Sequence, residues 1–152
     1  MDFIFRKVKM GISEVKLEIS WNAAPKNPIQ KLFYQQSKGV IIIFDITKKR
    51  SFDSISTWIE NINNNASASV VKFLIGNKLD LAEERAVSVS DALALAEVLN
   101  MNYYETSIKM KAKVEEILIG IVRKIQEESF TSDKVTIILK SDHKGKKKKC
   151  CN

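Results

Sequence analysis

The sequence predicts an α/β fold, a mostly parallel sheet flanked by helices, and three observations carry that expectation. Val40 to Ile46 and Val70 to Gly76 are continuous apolar runs, the pattern of strands covered on both faces. The residues between them place Phe52, Ile55, Trp58, Ile59 and Ile62 on one helical stripe. Buried strands that alternate with amphipathic helices build a parallel sheet with helices on its faces.

Taken in order, residues 2–10 are rich in β-formers and Gly11 follows as punctuation. Val15, Leu17, Ile19 and Trp21 then alternate with charged or small residues, as in a half-buried strand, and the two runs read as an antiparallel hairpin. Ser51 is the expected N-cap of the helix that carries Phe52 to Ile62. A second helix opens near Ser88 with Ala92, Leu95, Ala96 and Leu99, and a short strand at Tyr103–Thr106 follows. A last helix is expected to bury Val114, Ile117, Leu118, Ile121 and Ile125. Beyond Glu127 the helical period is lost. Residues 1–127 are therefore expected to form the domain, and 128–152 a flexible basic tail. The apolar run Val135–Leu139 has no assigned place in that scheme.

A chain of 152 residues with 45% hydrophobic content suits one core, and no apolar run reaches the ~18 residues of a membrane-spanning helix. No apolar stretch with a small-residue cleavage site opens the sequence, so export is not expected. The two cysteines are adjacent, which excludes a disulfide scaffold, and the single histidine, His143, sits in the polar tail. Histidine-based catalysis and metal sites are thereby largely excluded. Six tail lysines (Lys140, Lys144, Lys146, Lys147, Lys148 and Lys149) against Asp142 alone account for five of the seven net positive charges. The body is close to neutral and does not interleave aromatic with basic residues, so no nucleic-acid partner is expected.

Asn77-Lys78-Leu79-Asp80 directly follows a buried strand, at the carboxyl end where open α/β sheets bind ligands. Alone, the pattern is equally an ordinary polar loop. Glu105-Thr106-Ser107-Ile108-Lys109 also follows a strand, one helix later, so the two loops can converge on one ligand. An aspartate beside a flat pocket accepts both N–H donors of a guanine edge, a pairing that adenine cannot offer.

At these residues the sequence resembles the Rab branch of the Ras-like small GTPases. FYQQSKGVIIIFDITKKRSFDSISTWIENI resembles the stretch from the end of switch II through the third helix, and FLIGNKLDL the guanine-specificity motif with its strand. ETSIK resembles the family's E-T-S-A-K motif with Ile108 in place of alanine, and KKKKCCN a Rab tail with two prenylatable cysteines. The resemblance implies GTP or GDP as ligand. It implies that Asp80 pairs with guanine N1 and N2, that Asn77 ties the base loop together and that Lys78 lies over the base. The backbone N–H of Ile108 would meet guanine O6, with Ser107 and Lys109 supporting the loop.

The catalytic half of that family's pattern is missing or altered. No G-x-x-x-x-G-K-S/T occurs, and the family's first strand, first helix and switch-I threonine have no counterpart. Where the family has W-D-T-A-G-Q-E, this chain has Trp21-Asn22-Ala23-Ala24-Pro25-Lys26-Asn27. Asn22 lacks the charge that holds Mg²⁺, Pro25 has no N–H for a phosphate, and Lys26 replaces the glutamine that orients water. The expectation is no catalytic residue, no Mg²⁺ site, no GTP hydrolysis, and base-only binding near millimolar, roughly −4 kcal/mol. In the family the first strand lies between the hairpin's second strand and Val40–Ile46. Its loss is expected to leave a gap or a new direct pairing, and a marginally stable sheet.

Cys150-Cys151-Asn152 resembles the C-C-x ending that geranylgeranyl transferase modifies with the Rab escort protein. Two prenyl chains beside four lysines imply anchoring at the cytosolic face of endomembranes, within reach of Rab effectors and regulators. The resulting expectation is a Rab-like GTP-binding protein of vesicle trafficking that does not hydrolyse GTP as this chain stands. The alternatives are a non-catalytic prenylated module for Rab partners and a decayed Rab fragment.

Overall fold

The computed structural model describes residues 2–10, 13–21, 28–129 and 134–141. The hairpin is present: β1 (Asp2–Met10) pairs antiparallel with β2 (Ser13–Trp21), Asp2 opposite Trp21 and Met10 opposite Ser13. Helix α1 (Pro28–Gln36) leads into β3 (Gly39–Asp45). The expected single helix after β3 is two, α2 (Lys49–Asp53) and α3 (Ile55–Asn65), broken at Ser54. Then come β4 (Val71–Asn77), a 3-10 helix over Leu79–Glu84, α4 (Val89–Val98), β5 (Asn102–Glu105) and α5 (Lys111–Ser129). Ser88 caps α4 as expected, its Oγ accepting from the Asp91 N–H at 3.0 Å. Ser51 does not cap a helix. It sits inside α2, and its hydroxyl contacts the carbonyls of Asp45 and Lys48.

The decisive departure from expectation is β6 (Lys134–Ser141), which contains the unplaced run Val135–Leu139. The strand order is β1-β2-β6-β3-β4-β5, and every neighbouring pair except β1–β2 is parallel. Residues 134–141, expected as part of a flexible tail, therefore run through the middle of the sheet. They fill the slot between β2 and β3 that was expected to stand empty or to close up. The cause is a pairing requirement: β2 and β3 each present an edge of backbone donors and acceptors, and an apolar strand between them satisfies both. Leu17 lies opposite Val135, and Ile41 opposite Leu139. The Lys38 N–H also donates to the Thr136 carbonyl at 2.9 Å.

Alternation along the central strands sends side chains to two cores. On one face Val40, Ile42 and Phe44 of β3 join Ile138 of β6 under Tyr34, Ile55, Ile59, Ile62, Ala92 and Ala96 of α1, α3 and α4. On the other, Ile41, Phe73, Ile75 and Ile137 pack on Ile117, Ile121, Val122 and Ile125 of α5. Among the described residues α5 is the one helix on this second face. Val114 and Leu118, expected to be buried, lie half-buried at its margins, and Val122 takes their place inside. At the entry to β3, Gly39 lies close under α5: a Cβ there would lie 2.6 Å from Cδ1 of Ile125, and the end of that side chain would have to shift to admit it. No helix among the described residues is long and apolar enough to cross a membrane.

Lys140, counted above among the solvated tail cations, is 1% exposed. It follows Ile138 on the same face of β6. Its ammonium lies 4.7 Å from the ring centre of Tyr34 and 5.0 Å from that of Trp58, with no hydrogen-bond partner among the described residues. Burial lowers its pKa to about 8.

Candidate functional site

Because β3, β4, β5 and β6 are parallel, their carboxyl ends share one edge of the sheet. Asp45 ends β3, Asn77 ends β4, and Glu105 ends β5 directly before Thr106, Ser107, Ile108 and Lys109. Backbone bonds lock these ends together. The Ile46 N–H donates to the Asn77 carbonyl (3.1 Å), the Thr106 N–H to that of Gly76 (2.9 Å), and the Leu79 N–H to that of Thr106 (3.1 Å).

The two predicted loops therefore converge, and the hinge is Lys78. Its φ of 71° is a left-handed conformation that costs a non-glycine residue about 1 kcal/mol. It turns the chain sharply out of β4 into the 3-10 helix and brings Asp80 back beside the second loop. The Ser107 hydroxyl donates to Asp80 Oδ1, and the Lys109 ammonium lies 2.5 Å from Oδ2. These bonds, that of Lys109 foremost, hold the Asp80 carboxyl below the usual carboxylate range, so it is an anionic acceptor at neutral pH. The Lys109 side chain is 77% exposed, a displaceable partner rather than a buried one. Ser107 is buried and its Oγ also accepts from the Lys109 N–H at 3.2 Å. Ile108 is exposed at the lip of the loop.

Asn77 and Thr106 are both buried, and neither Asn77 Oδ1 nor Thr106 Oγ1 has a hydrogen-bond partner among the described residues. A buried amide oxygen without a donor costs about 1–3 kcal/mol, a cost that water or a ligand donor would relieve.

Residues that carry no assigned role in the sequence reading complete the site. Asp45 is held through both of its carboxylate oxygens. One carboxylate oxygen accepts from the Thr47 N–H (3.0 Å) and hydroxyl (2.7 Å), and the other lies 2.6 Å from the Lys78 ammonium. Burial raises its pKa, but the bonds from Lys78 and Thr47 outweigh that and leave it below the ordinary value. Arg85 reaches back to Glu105 through a two-pronged pair of 2.7 and 2.9 Å, and the Tyr103 hydroxyl donates to the same carboxylate at 2.5 Å. The Arg85 fork keeps Glu105 below the usual carboxylate range, and the brace clamps the chain after the 3-10 helix onto β5. The signal for Asp45 was an Asp-x-Thr turn at a strand end. Glu105 stands in the second loop motif, but nothing in the sequence pairs it with Arg85, twenty residues away.

Of the predicted guanine-contacting residues, the structure gathers Asn77, Lys78, Asp80, Ser107, Ile108 and Lys109 at one edge. The switch-II positions 22–27 and the lipidation candidates Cys150 and Cys151 lie outside the described residues. No group of three His, Cys, Asp or Glu residues able to hold a metal occurs among the described residues.

A family model described as the Ras family matches residues 1–127. The chain is 39% identical over 132 residues to the Ras-related protein Rab-1 of Theileria parva, covering 84% of this chain and 60% of that protein. It is 32% identical over 136 residues to the GTP-binding protein ypt2 of Schizosaccharomyces pombe, covering 88% and 68%. It is 39% identical over 129 residues to the GTP-binding protein yptV2 of Volvox carteri, covering 82% and 59%. The chain thus spans roughly six-tenths of the length of these curated relatives.

Proposed function

The chain belongs to the Ras family as a Rab-type member, and from that premise we propose that it binds guanine at the loops 77–80 and 105–109 without hydrolysing GTP. The observation that carries this is the ionised Asp80, held by Ser107 beside the orphaned oxygens of Asn77 and Thr106. Its two oxygens face donors that a guanine edge can replace, Lys109 being the exposed one. Asn77 and Thr106 offer buried polar atoms for the rest of the ligand. Asn22, Pro25 and Lys26 supply neither the charge, the N–H nor the amide that phosphoryl transfer to water uses in this family.

The cellular role that follows is a Rab-like one in vesicle trafficking. Cys150 and Cys151 would be prenylated by geranylgeranyl transferase with the escort protein, and the chain would meet Rab effectors and regulators at the cytosolic face of endomembranes. A non-catalytic prenylated binding module is the form of that role favoured by the altered switch-II residues.

The test is titration of the full chain with guanosine and adenosine, followed by GDP with Mg²⁺. Guanosine is expected to bind near millimolar and at least tenfold tighter than adenosine, with Asp80→Asn abolishing the preference. Equal binding of the two nucleosides would remove the base pocket. A submicromolar GDP affinity, or phosphate release from GTP above the buffer rate, would overturn the inactive reading.

A further inference from the structure

Helix α4 turns its small residues inward and its larger apolar ones outward. Ala92 and Ala96 are its buried positions, and Leu95 and the C-cap Leu99 pack half-buried beside them. Val89, Leu93 and Val98 are 42%, 51% and 82% exposed, and Ala94 is exposed with them. Residues four apart share a side of a helix. The outer half of α4 therefore carries two apolar rows, Val89–Leu93 and Ala94–Val98, on either side of Ser90 and Glu97. A surface helix ordinarily gives its outer half to charged and polar groups, and one that is apolar all round is a helix suited to being covered.

The charges around these rows have one sign. From Ala82 to Leu99 the charged side chains are Glu83, Glu84, Arg85, Asp91 and Glu97. Arg85 is taken by Glu105, whereas the four carboxylates have no ion-pair partner among the described residues. Glu97 also stands in the last turn of α4, where no basic residue answers the negative end of the helix. Four unmatched acids thus accompany the apolar rows, in a chain whose net charge is +7.

That combination selects among occupants. A second copy laid on this face would set the same carboxylates against each other, and an anionic membrane or a nucleic acid would meet the same repulsion. The run Lys146–Lys149 has the opposite charge but no apolar side chain to lay on Leu93 and Val98. A helix with an apolar stripe flanked by lysine or arginine, packed lengthwise on α4, satisfies both features.

We propose that the outer face of α4, built on Val89, Leu93 and Val98 and edged by Asp91 and Glu97, docks a basic amphipathic helix of a partner protein. The apolar rows supply the contact, and the carboxylates supply orientation and the preference for cations. Ten residues of helix, about 15 Å long, offer a small interface, so the complex is a transient one.

The probe is a labelled peptide of about 18 residues with leucines at i, i+3, i+4 and i+7 and lysines flanking them, titrated into the full chain. It should bind in the micromolar range and more weakly as salt rises, although the net charge of the chain repels it. A scrambled peptide of the same composition should bind at least tenfold more weakly, and one with glutamate for lysine should not bind. Leu93→Gln with Val98→Gln should weaken binding at least tenfold, and Asp91→Asn with Glu97→Gln about fivefold while flattening the salt dependence. All four positions are exposed, and unchanged urea midpoints certify the fold of both variants. Amide shifts caused by the peptide should fall on residues 82–99. No binding, equal binding of the scrambled peptide, or full affinity in either variant would overturn the inference. Self-association of the chain that Leu93→Gln abolishes would assign the face to a second copy, and binding to phosphatidylserine vesicles lost in that variant would assign it to a membrane; either result would overturn the inference.

Discussion

Replacing Lys140 by methionine should stabilise the protein at pH 7 by about 2 kcal/mol. The ammonium of Lys140 is buried against the rings of Tyr34 and Trp58 without a hydrogen bond among the described residues, and its pKa falls from 10.5 to about 8. For a lysine, a depressed native pKa means that folding opposes the charge. Well above pH ~10.5 both states are neutral and there is no penalty. As pH falls to about 8 the unfolded chain gains a proton that the native state resists, and below about 8 the penalty is complete. At about 1.4 kcal/mol per pKa unit, the 2.5-unit depression corresponds to roughly 3 kcal/mol. Two cation–π contacts at 4.7 and 5.0 Å return about 1 kcal/mol to the charged form. Methionine follows the same path between the rings with no charge to desolvate. Urea unfolding of both proteins at pH 7 and pH 10 provides the assay. The stability difference should be about 2 kcal/mol at pH 7 and should fall to about 1 kcal/mol or less by pH 10. A variant less stable than the wild type at pH 7, or a difference independent of pH, would refute the buried-amine account.

Two further outcomes concern the sheet. Ile137→Ala and Ile138→Ala, on opposite faces of β6 and each no more than 1% exposed, should each cost about 3 kcal/mol in urea unfolding; costs under ~0.5 kcal/mol would return the segment to the status of a tail. Gly39→Ala should cost about 1–3 kcal/mol because its Cβ meets Ile125 Cδ1, and Ile125→Val, which removes that atom, should recover most of the loss in a double-mutant cycle. Strict additivity of the two changes would contradict the contact.

The parts of this fold that were legible are those whose signal is local. Val40–Ile46 and Val70–Gly76 are apolar enough to be buried strands whatever they pair with, and the hairpin is joined within a few residues. The guanine loops were legible because each follows a strand at once. The role of β6 was not, because its burial depends on the two edges of β2 and β3, which lie about a hundred residues earlier. Its local context is lysine-rich, and Lys140 in particular reads as solvated until Tyr34 and Trp58 are brought over it. The division of one expected helix into α2 and α3 also escaped notice, since the apolar stripe runs through Ser54 without interruption. Asp45, Arg85 and Glu105 were missed for a related reason. Their roles are set by ion pairs formed only after β3, β4 and β5 align.

The central position of β6 also sets an order of events during synthesis. Residues 2–129, with the hairpin, β3 to β5 and all five helices, are complete before the chain reaches Lys134. Until then β2 and β3 present two open strand edges to the surroundings, the kind of surface that pairs with other chains. In chain order β6 comes after both of the edges that it closes. Premature termination anywhere before Ser141 would yield an aggregating product rather than a shortened domain.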